Sequence, residues 1–554
     1  MTEPGPRLRD RPQLASVTAG LALAETLVLS VLGPFTGLAL APQVSAPAPL
    51  DLFHDLRWIA VYTPSWFAFL AALGGFALWR TGVTAVLVGL AWPETLPRPP
   101  ARELVRRAGW ATAVGAALVA PWVVLAFATA VVALSWTWIV AVPVVVMISL
   151  VVHHAAVTTS WWRIRPTRAS VGAVAVAVGA ATVLGGVMAA GPAWARWPAA
   201  AVAGLVNGWC WLRIVHAVAP RAAAPGRPFG VVALSGILAL VVGGAAVGFA
   251  VALALEEERR PLPRAAEGGP GAPVLVVKGF NSRWDGVTRR WIDVDAPLTR
   301  FSYAGLSDRG RPRPYGRRAT HASVRELARR MSEQVDALAD ATGERVAIVA
   351  ESEGALVALT YLLGTPRAPV RAAVVLSPLV EPGRVSYPIA GRVGWGVAPG
   401  SALDLVGAVV GGLGPVEVRS DTPLFRSIVE HAPLFQGLLR CRAPGVRELA
   451  VLPVDTGLGA PVPATVEIPY VVRPAFHGGL LGDAATERVV GRVLRGAPVD
   501  TRSGWRTAER VVQVLASPWQ VPSLAKSLEP AWRALPDPDD CPAVRRALRR
   551  YLAG

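Results

Sequence analysis

The chain has 554 residues, of which 53% are hydrophobic and only 17% charged, which is too apolar for one ordinary soluble domain and long enough for at least two. Part of it is therefore expected to sit in a lipid bilayer. The formal net charge of +17 rests on 55 basic residues, but only Lys278 and Lys526 are lysine and no basic run is interleaved with aromatics, so no nucleic-acid partner is expected. Three cysteines without a C-x-x-C pair exclude a disulfide-scaffold protein and a cysteine zinc site.

Residues 1–256 read as a polytopic helical membrane domain. Apolar runs near the roughly 20 residues needed to cross a bilayer occupy 14–41, 57–79, 109–133, 135–157, 169–190, 199–219 and 229–255, which predicts seven helices. Val83–Trp92 is apolar but too short to span and reads as an interfacial or re-entrant tail of the second helix. Fourteen of the 20 tryptophans precede Glu256, many at run ends such as Trp58, Trp79, Trp92, Trp161 and Trp197, where indole rings mark the headgroup level. The first run follows Arg7, Arg9 and Arg11 and precedes Ser45-Ala46-Pro47-Ala48, yet its apolar core is too long for a cleaved signal and reads as a retained helix. Glu25 lies inside that helix, where an acid is costly and is either functional or satisfied by a neighbouring helix, for example through Asn207 or an arginine. His153, His154 and His216 lie near helix ends and read as interfacial side chains, not as metal ligands.

Positive charge accumulates on the cytoplasmic side of short loops. Arg7, Arg9, Arg11, then Arg98, Arg102, Arg106 and Arg107, then Arg163, Arg165 and Arg168, then Arg213, Arg221 and Arg227 fall on one side; Arg57 and Arg196 fall on the other. With seven helices this arrangement keeps the amino terminus inside and delivers the following domain to the extracytoplasmic face of the cell membrane. In that oxidising compartment Cys441 and Cys541 are free to pair.

A charged, Pro/Gly-rich linker at 257–271 leads into a second domain at 272–554. Pro273–Val277, Leu298–Tyr303, Ala372–Leu376, Leu449–Val454 and Thr465–Val472 read as strands, and His321–Thr342 as an amphipathic helix. Pro469 confines the last run to a sheet edge. Alternating strands and helices predict an α/β fold with a mostly parallel sheet, helices on both faces and ligands at the carboxyl ends of the strands.

The organising stretch is Val346-Ala347-Ile348-Val349-Ala350-Glu351-Ser352-Glu353-Gly354, a β-branched run that breaks at a serine and resumes as the apolar run 355–363. It reads as strand, tight turn and helix with Ser352 at the corner, and such a corner needs small residues two before and two after, here Ala350 and Gly354. The stretch resembles the nucleophile elbow of the α/β-hydrolase family, G-x-S-x-G, in the form A-x-S-x-G. The resemblance covers 273–490 and includes Phe301-Ser302-Tyr303, with Tyr315 and Thr320 downstream.

A serine hydroxyl needs a histidine to take its proton and a carboxylate to orient that histidine. Of the three histidines after Glu256, His321 falls at a helix start and His431 in a run that reads as helix. His477 follows a strand in a glycine-rich loop, where the family presents its histidine. Asp455 ends the strand-like run before it, whereas Asp404, Asp421 and Glu381 follow no such run. The resulting order Ser352, Asp455, His477 is the one the resemblance implies. It further implies an oxyanion hole made by the backbone N–H groups of Glu353 and of Phe280, in the loop after the first strand.

Two departures stand out. The loop has Lys278-Gly279 where the family usually has His-Gly, so Lys278 either faces the site or caps the sheet. Glu351 and Glu353 flank the serine, where they either favour a protonated His477 and repel anionic substrates or point to solvent. An apolar insertion at 379–444 occupies the position of the family's cap and either covers the site or packs on its own core. The expectation is a membrane-bound serine hydrolase of carboxylic or thio esters, of a lipophilic substrate, with no cofactor and no metal. Acyl transfer by the same triad is one alternative, and a transporter or receptor with a non-catalytic, ligand-binding hydrolase-like domain is another. Nothing in the sequence speaks to the oligomeric state.

Overall fold

The structure, a computed structural model, describes residues 6–38, 40–128, 136–222, 272–289, 296–388, 394–413 and 419–554. The expected helix at 229–255 and the linker at 257–271 lie outside the described residues. The first half is helical: α1 (Pro12–Thr36), α2 (Leu50–Val61), α3 (Trp66–Leu90), α4 (Ala101–Ala128), α5 (Trp136–Val152), α6 (Arg168–Ala190) and α7 (Arg196–Ala222). Proline at its first position starts α1 and left-handed Gly37 ends it. Reciprocal hydrogen bonds between Thr167 and Ser170 cap α6.

Among the described residues, which hold six of the seven expected runs, five helices are long and apolar enough to cross a membrane: Pro12–Thr36, Trp66–Leu90, Ala101–Val124, Arg168–Ala190 and Ala193–Ala222. The expected span 57–79 is broken at Pro64, and Ser65 caps a new helix by accepting the N–H of Ala68. That helix runs through Arg80 and absorbs the run from Val83 as far as Leu90, where Ala91 caps it and Trp92 follows, so the run is no separate interfacial or re-entrant tail. Arg80 does not end it because the guanidinium is buried and satisfied: Nη2 donates to Asp55 Oδ1 at 2.7 Å and Nη1 to the Val44 carbonyl at 2.6 Å. Within the described residues the run at 135–157 becomes the 17-residue α5 followed by a 3-10 turn over His153–Ala156.

Residues 40–61 therefore form no part of a span. They fold back among the helices, with Pro49 and Leu52 against Gly115 of α4 and the Ser45 carbonyl accepting the indole N–H of Trp211 in α7. Non-helical backbone at this depth is tolerated because protein surrounds it. Glu25 accepts the backbone N–H groups of Gln43 (3.2 Å) and Val44 (3.1 Å), with His54 Nε2 3.6 Å away. Asn207 bonds Ser45 instead of Glu25. His153 and His154 are buried within the protein, His154 within 3.3 Å of the Ser170 hydroxyl.

The second half is a six-stranded, all-parallel sheet of β1 (Val274–Val277), β2 (Leu298–Arg300), β3 (Val346–Glu351), β4 (Val370–Leu376), β5 (Arg447–Pro453) and β6 (Tyr470–Arg473), in the order β2-β1-β3-β4-β5-β6. Its helices are α8 (Val324–Thr342), α9 (Glu353–Gly364), α10 (Val397–Leu413), α11 (Pro423–Glu430), α12 (Ala432–Gln436), α13 (Thr456–Gly459), α14 (Ala484–Leu494), α15 (Gly504–Ala516) and α16 (Cys541–Ala553). Both faces of the sheet are covered, as continuous apolar strands require: Leu275, Ile348, Val375 and Leu452 pack into one core and Val276, Val349, Val374 and Val451 into the other. The first of these cores is continuous with that of the helical half. As its proline suggests, β6 lies at an edge.

The insertion at 379–444 divides. Its helix α10 packs against α2, α3 and α4, with Ala398 among Ile59 and Phe69, while α11 packs on α8. Cys441, at the end of the insertion, is disulfide-bonded to Cys541 at the start of α16.

Candidate functional site

Strand order places the site. From β1 the chain passes to β2 on one side, then to β3 on the other, so a crevice opens at the carboxyl ends of β1 and β3, where open parallel sheets bind ligands. The Lys278–Arg283 loop leaves β1 there, and Ser352 leaves β3 there.

Ser352 has φ 55° and ψ −117°, backbone that a side-chain-bearing residue adopts only when its surroundings force it. The forcing is visible at its neighbours. A Cβ on Gly354 would stand 2.8 Å from Val277 Cγ1 and 2.9 Å from the Lys278 carbonyl oxygen, and one on Gly279 would stand 3.0 Å from Ser352 Cβ. Ala350 is fully buried. The demand for small residues around the corner is thus physical, and it extends to the facing loop.

The Ser352 hydroxyl lies 2.9 Å from His477 Nε2, across 125 residues of chain. Loss of solvation around the imidazole lowers its pKa to about 4, so at neutral pH the ring is uncharged and able to accept a proton. Asp455, buried at the end of β5, accepts the backbone N–H of His477 on Oδ2 at 3.4 Å. The three residues expected to act together are brought together. Of the competitors, Asp404 accepts the N–H of Ser420, Asp421 lies beside Arg419, and Glu381 pairs with Arg440. His431 packs on the Tyr551 ring.

The flanking glutamates do not point to solvent. Glu351 is buried with its Oε2 3.5 Å from Lys278 Nζ, so Lys278 is spent on this pair. Glu353 is buried too, and desolvation pushes its carboxyl well above the ordinary carboxylate range. A neutral Glu353 and a paired Glu351 leave no net negative charge to protonate His477.

The Phe280 loop is held from beneath. Asn281, at φ 59°, takes the Thr320 hydroxyl as acceptor for its N–H at 3.1 Å, its Oδ1 lies 2.8 Å from His321 Nε2, and the His321 ring stacks on Phe280 at 4.8 Å. Phe425 of α11 meets the other side of Phe280 edge-on at 5.7 Å. His321 is therefore a loop-holding residue whose role the sequence did not announce. Ser377 is another: at the end of β4, its Oγ accepts the N–H of Gly478 at 3.4 Å and so steadies the His477 loop. Among the described residues no group of three or more His, Cys, Asp or Glu side chains is placed to hold a metal ion. No family model, no curated protein and no solved structure matches the chain.

Proposed function

We propose that the protein is a membrane-bound serine hydrolase of the α/β-hydrolase type that cleaves carboxylic or thio esters through an acyl-enzyme. The observation that carries this reading is the 2.9 Å contact between Ser352, at positive φ on a strand-to-helix corner, and the uncharged His477. In the reaction His477 takes the hydroxyl proton as Ser352 Oγ attacks the acyl carbon, and Asp455 holds the His477 loop and stabilises the imidazolium that forms. The His477 proton then passes to the leaving alcohol or thiol, and water repeats the sequence to release the acid. The backbone N–H groups of Glu353 and Phe280 receive the oxyanion; supporting this, Glu353 directly follows the nucleophile and the Gly279–Phe280 turn lies against it.

A lipophilic substrate is supported by α10, which packs among membrane helices, and by exposed Phe476 beside His477. The proposed location is extracytoplasmic. Helices that meet the sheet half do so by the end remote from the arginine-rich stretches: Ser527 donates to the Phe35 carbonyl at the end of α1, whose start carries Arg7, Arg9 and Arg11. Likewise Gly185 and Gly186 near the end of α6 touch Pro518 and Val514, whereas Arg163, Arg165 and Arg168 lie at its start. The Cys441–Cys541 bond suits an oxidising compartment.

A fluorophosphonate probe tests the reading. The full-length protein is expected to be labelled at Ser352, and Ser352→Ala and His477→Ala to lose both labelling and ester turnover. Labelling that persists in Ser352→Ala would sink the assignment.

A further inference from the structure

We propose that the helical half is part of the catalytic apparatus, with Arg57 acting as a positioning residue for Asp455 through the segment 517–524; this rests on the triad reading above. The segment leaves α15 at Ala516 and runs along the seam between the helices and the sheet half. Arg57, in α2, is fully buried, and a buried guanidinium must place its donors on acceptors. Its Nη1 donates to the carbonyls of Pro518 and Gln520, both at 2.6 Å, and its Nη2 lies 2.6 Å from His54 Nδ1. Trp519, between those two carbonyls, donates its indole N–H to Thr182 of α6 at 3.0 Å and meets the Phe53 ring of α2 at 5.4 Å. Tyr62, just after α2, sets its hydroxyl 2.9 Å from the Ser523 carbonyl.

The segment then holds the turn that carries the acid. Gln520 Nε2 donates to the carbonyl of Gly457 at 2.6 Å, two residues beyond Asp455. Opposite, Gly457 abuts α15 so closely that a Cβ there would stand 3.1 Å from Gln513 and from Glu509. From the sheet half the Arg384 guanidinium donates to the Val521 carbonyl and the Ser523 hydroxyl, both at 2.9 Å, and the Arg384 carbonyl accepts the N–H of Leu524. The acid's turn is thus clamped by a strap whose own position is taken from α2 and α6. A carboxylate that orients a histidine must be placed to a fraction of an ångström, and a displacement of about 1 Å costs roughly a hundredfold in rate. A single anchoring helix would not supply this clamp.

The test uses the full chain in lipid nanodiscs, with p-nitrophenyl butyrate turnover, fluorophosphonate labelling of Ser352, and hydrogen exchange across 454–460. Gln520→Leu and Arg57→Met are expected to lower kcat roughly ten- to a hundredfold with KM unchanged, to quicken exchange at 454–460, and Arg57→Lys to restore most of the loss. In an Asp455→Asn background Gln520→Leu is expected to cost nothing more, because the group it positions is already gone. An equal loss in that background, or unaltered exchange at 454–460, overturns the proposal. A wild-type chain unlabelled at Ser352 in which the variants still quicken exchange refutes the triad, and with it the catalytic meaning of the clamp. Should Arg57→Met not accumulate as folded protein, Gln520→Leu, which leaves the arginine and its carbonyl partners in place, carries the test.

Discussion

In the proposed mechanism His477 is the base, and burial holds its ring uncharged. With a pKa near 4 instead of the ordinary 6.5, it is uncharged across the physiological range, so turnover needs no deprotonation step there. The active form is the neutral one, and it is lost as pH falls through the depressed value. We expect the acid limb of kcat/KM to lie near pH 4, with a flat profile between about 5.5 and 7.5; a midpoint at 6.5 would mean a solvated ring. Glu353 carries the opposite sign. Its carboxyl stays protonated in the folded protein after it ionises in the unfolded chain, so wild-type stability falls as pH rises above the ordinary carboxylate pKa, by about 1.4 kcal/mol per unit until the folded group also ionises. Glu353→Gln removes that slope, and its melting temperature should exceed wild type at pH 8 but match it at pH 4. That Ser352, Asp455 and His477 lie close together could be anticipated from the sequence because the proposed chemistry leaves few candidates. The state of the glutamates was not, because burial is a property of the folded neighbours and a carboxylate beside an exposed corner looks the same in a string of letters.

Among elements, the strand-turn-helix corner was readable because its small residues sit at fixed offsets from the serine, although the contacts that demand Gly354 come from Val277 and Lys278 on the neighbouring strand and loop. Gly354→Ala brings a methyl group within 3 Å of β1. Overpacking of this kind costs about 1–3 kcal/mol, and we expect a lower melting temperature together with loss of Ser352 labelling. The bounds of α3 are hidden from hydropathy, which sees Arg80 as a terminus, whereas its ion pair with Asp55 lets the helix continue. The deciding partner lies 25 residues upstream, beyond the reach of any window centred on the helix. The apolar insertion was likewise visible as apolar, but its division into α10 on the membrane helices and α11 against the Phe280 loop is set by tertiary contacts that no local pattern encodes.

On the scale of the molecule, the proposed extracytoplasmic orientation draws on two unrelated features, the arginine asymmetry of the sequence and the Cys441–Cys541 bond of the structure. Protease or a membrane-impermeant reagent added to intact cells should reach the sheet half; full protection until the membrane is broken would reverse the topology. Because the disulfide closes a separation of 100 residues, replacing both cysteines by serine should cost up to about 4.7 kcal/mol in the chain-entropy view, read as a fall in the denaturant midpoint. The seam itself was illegible in the sequence, since no hydropathy window joins residue 57 to residues 518 and 520. It also has an evolutionary consequence. Arg57, Arg384 and Tyr62 hold residues 518–523 largely by main-chain carbonyls, which every amino acid supplies. Selection can therefore fix the two arginines while the strap's letters drift, Trp519 and Gln520 excepted, so across diverged sequences these arginines should stay constant without a covarying partner.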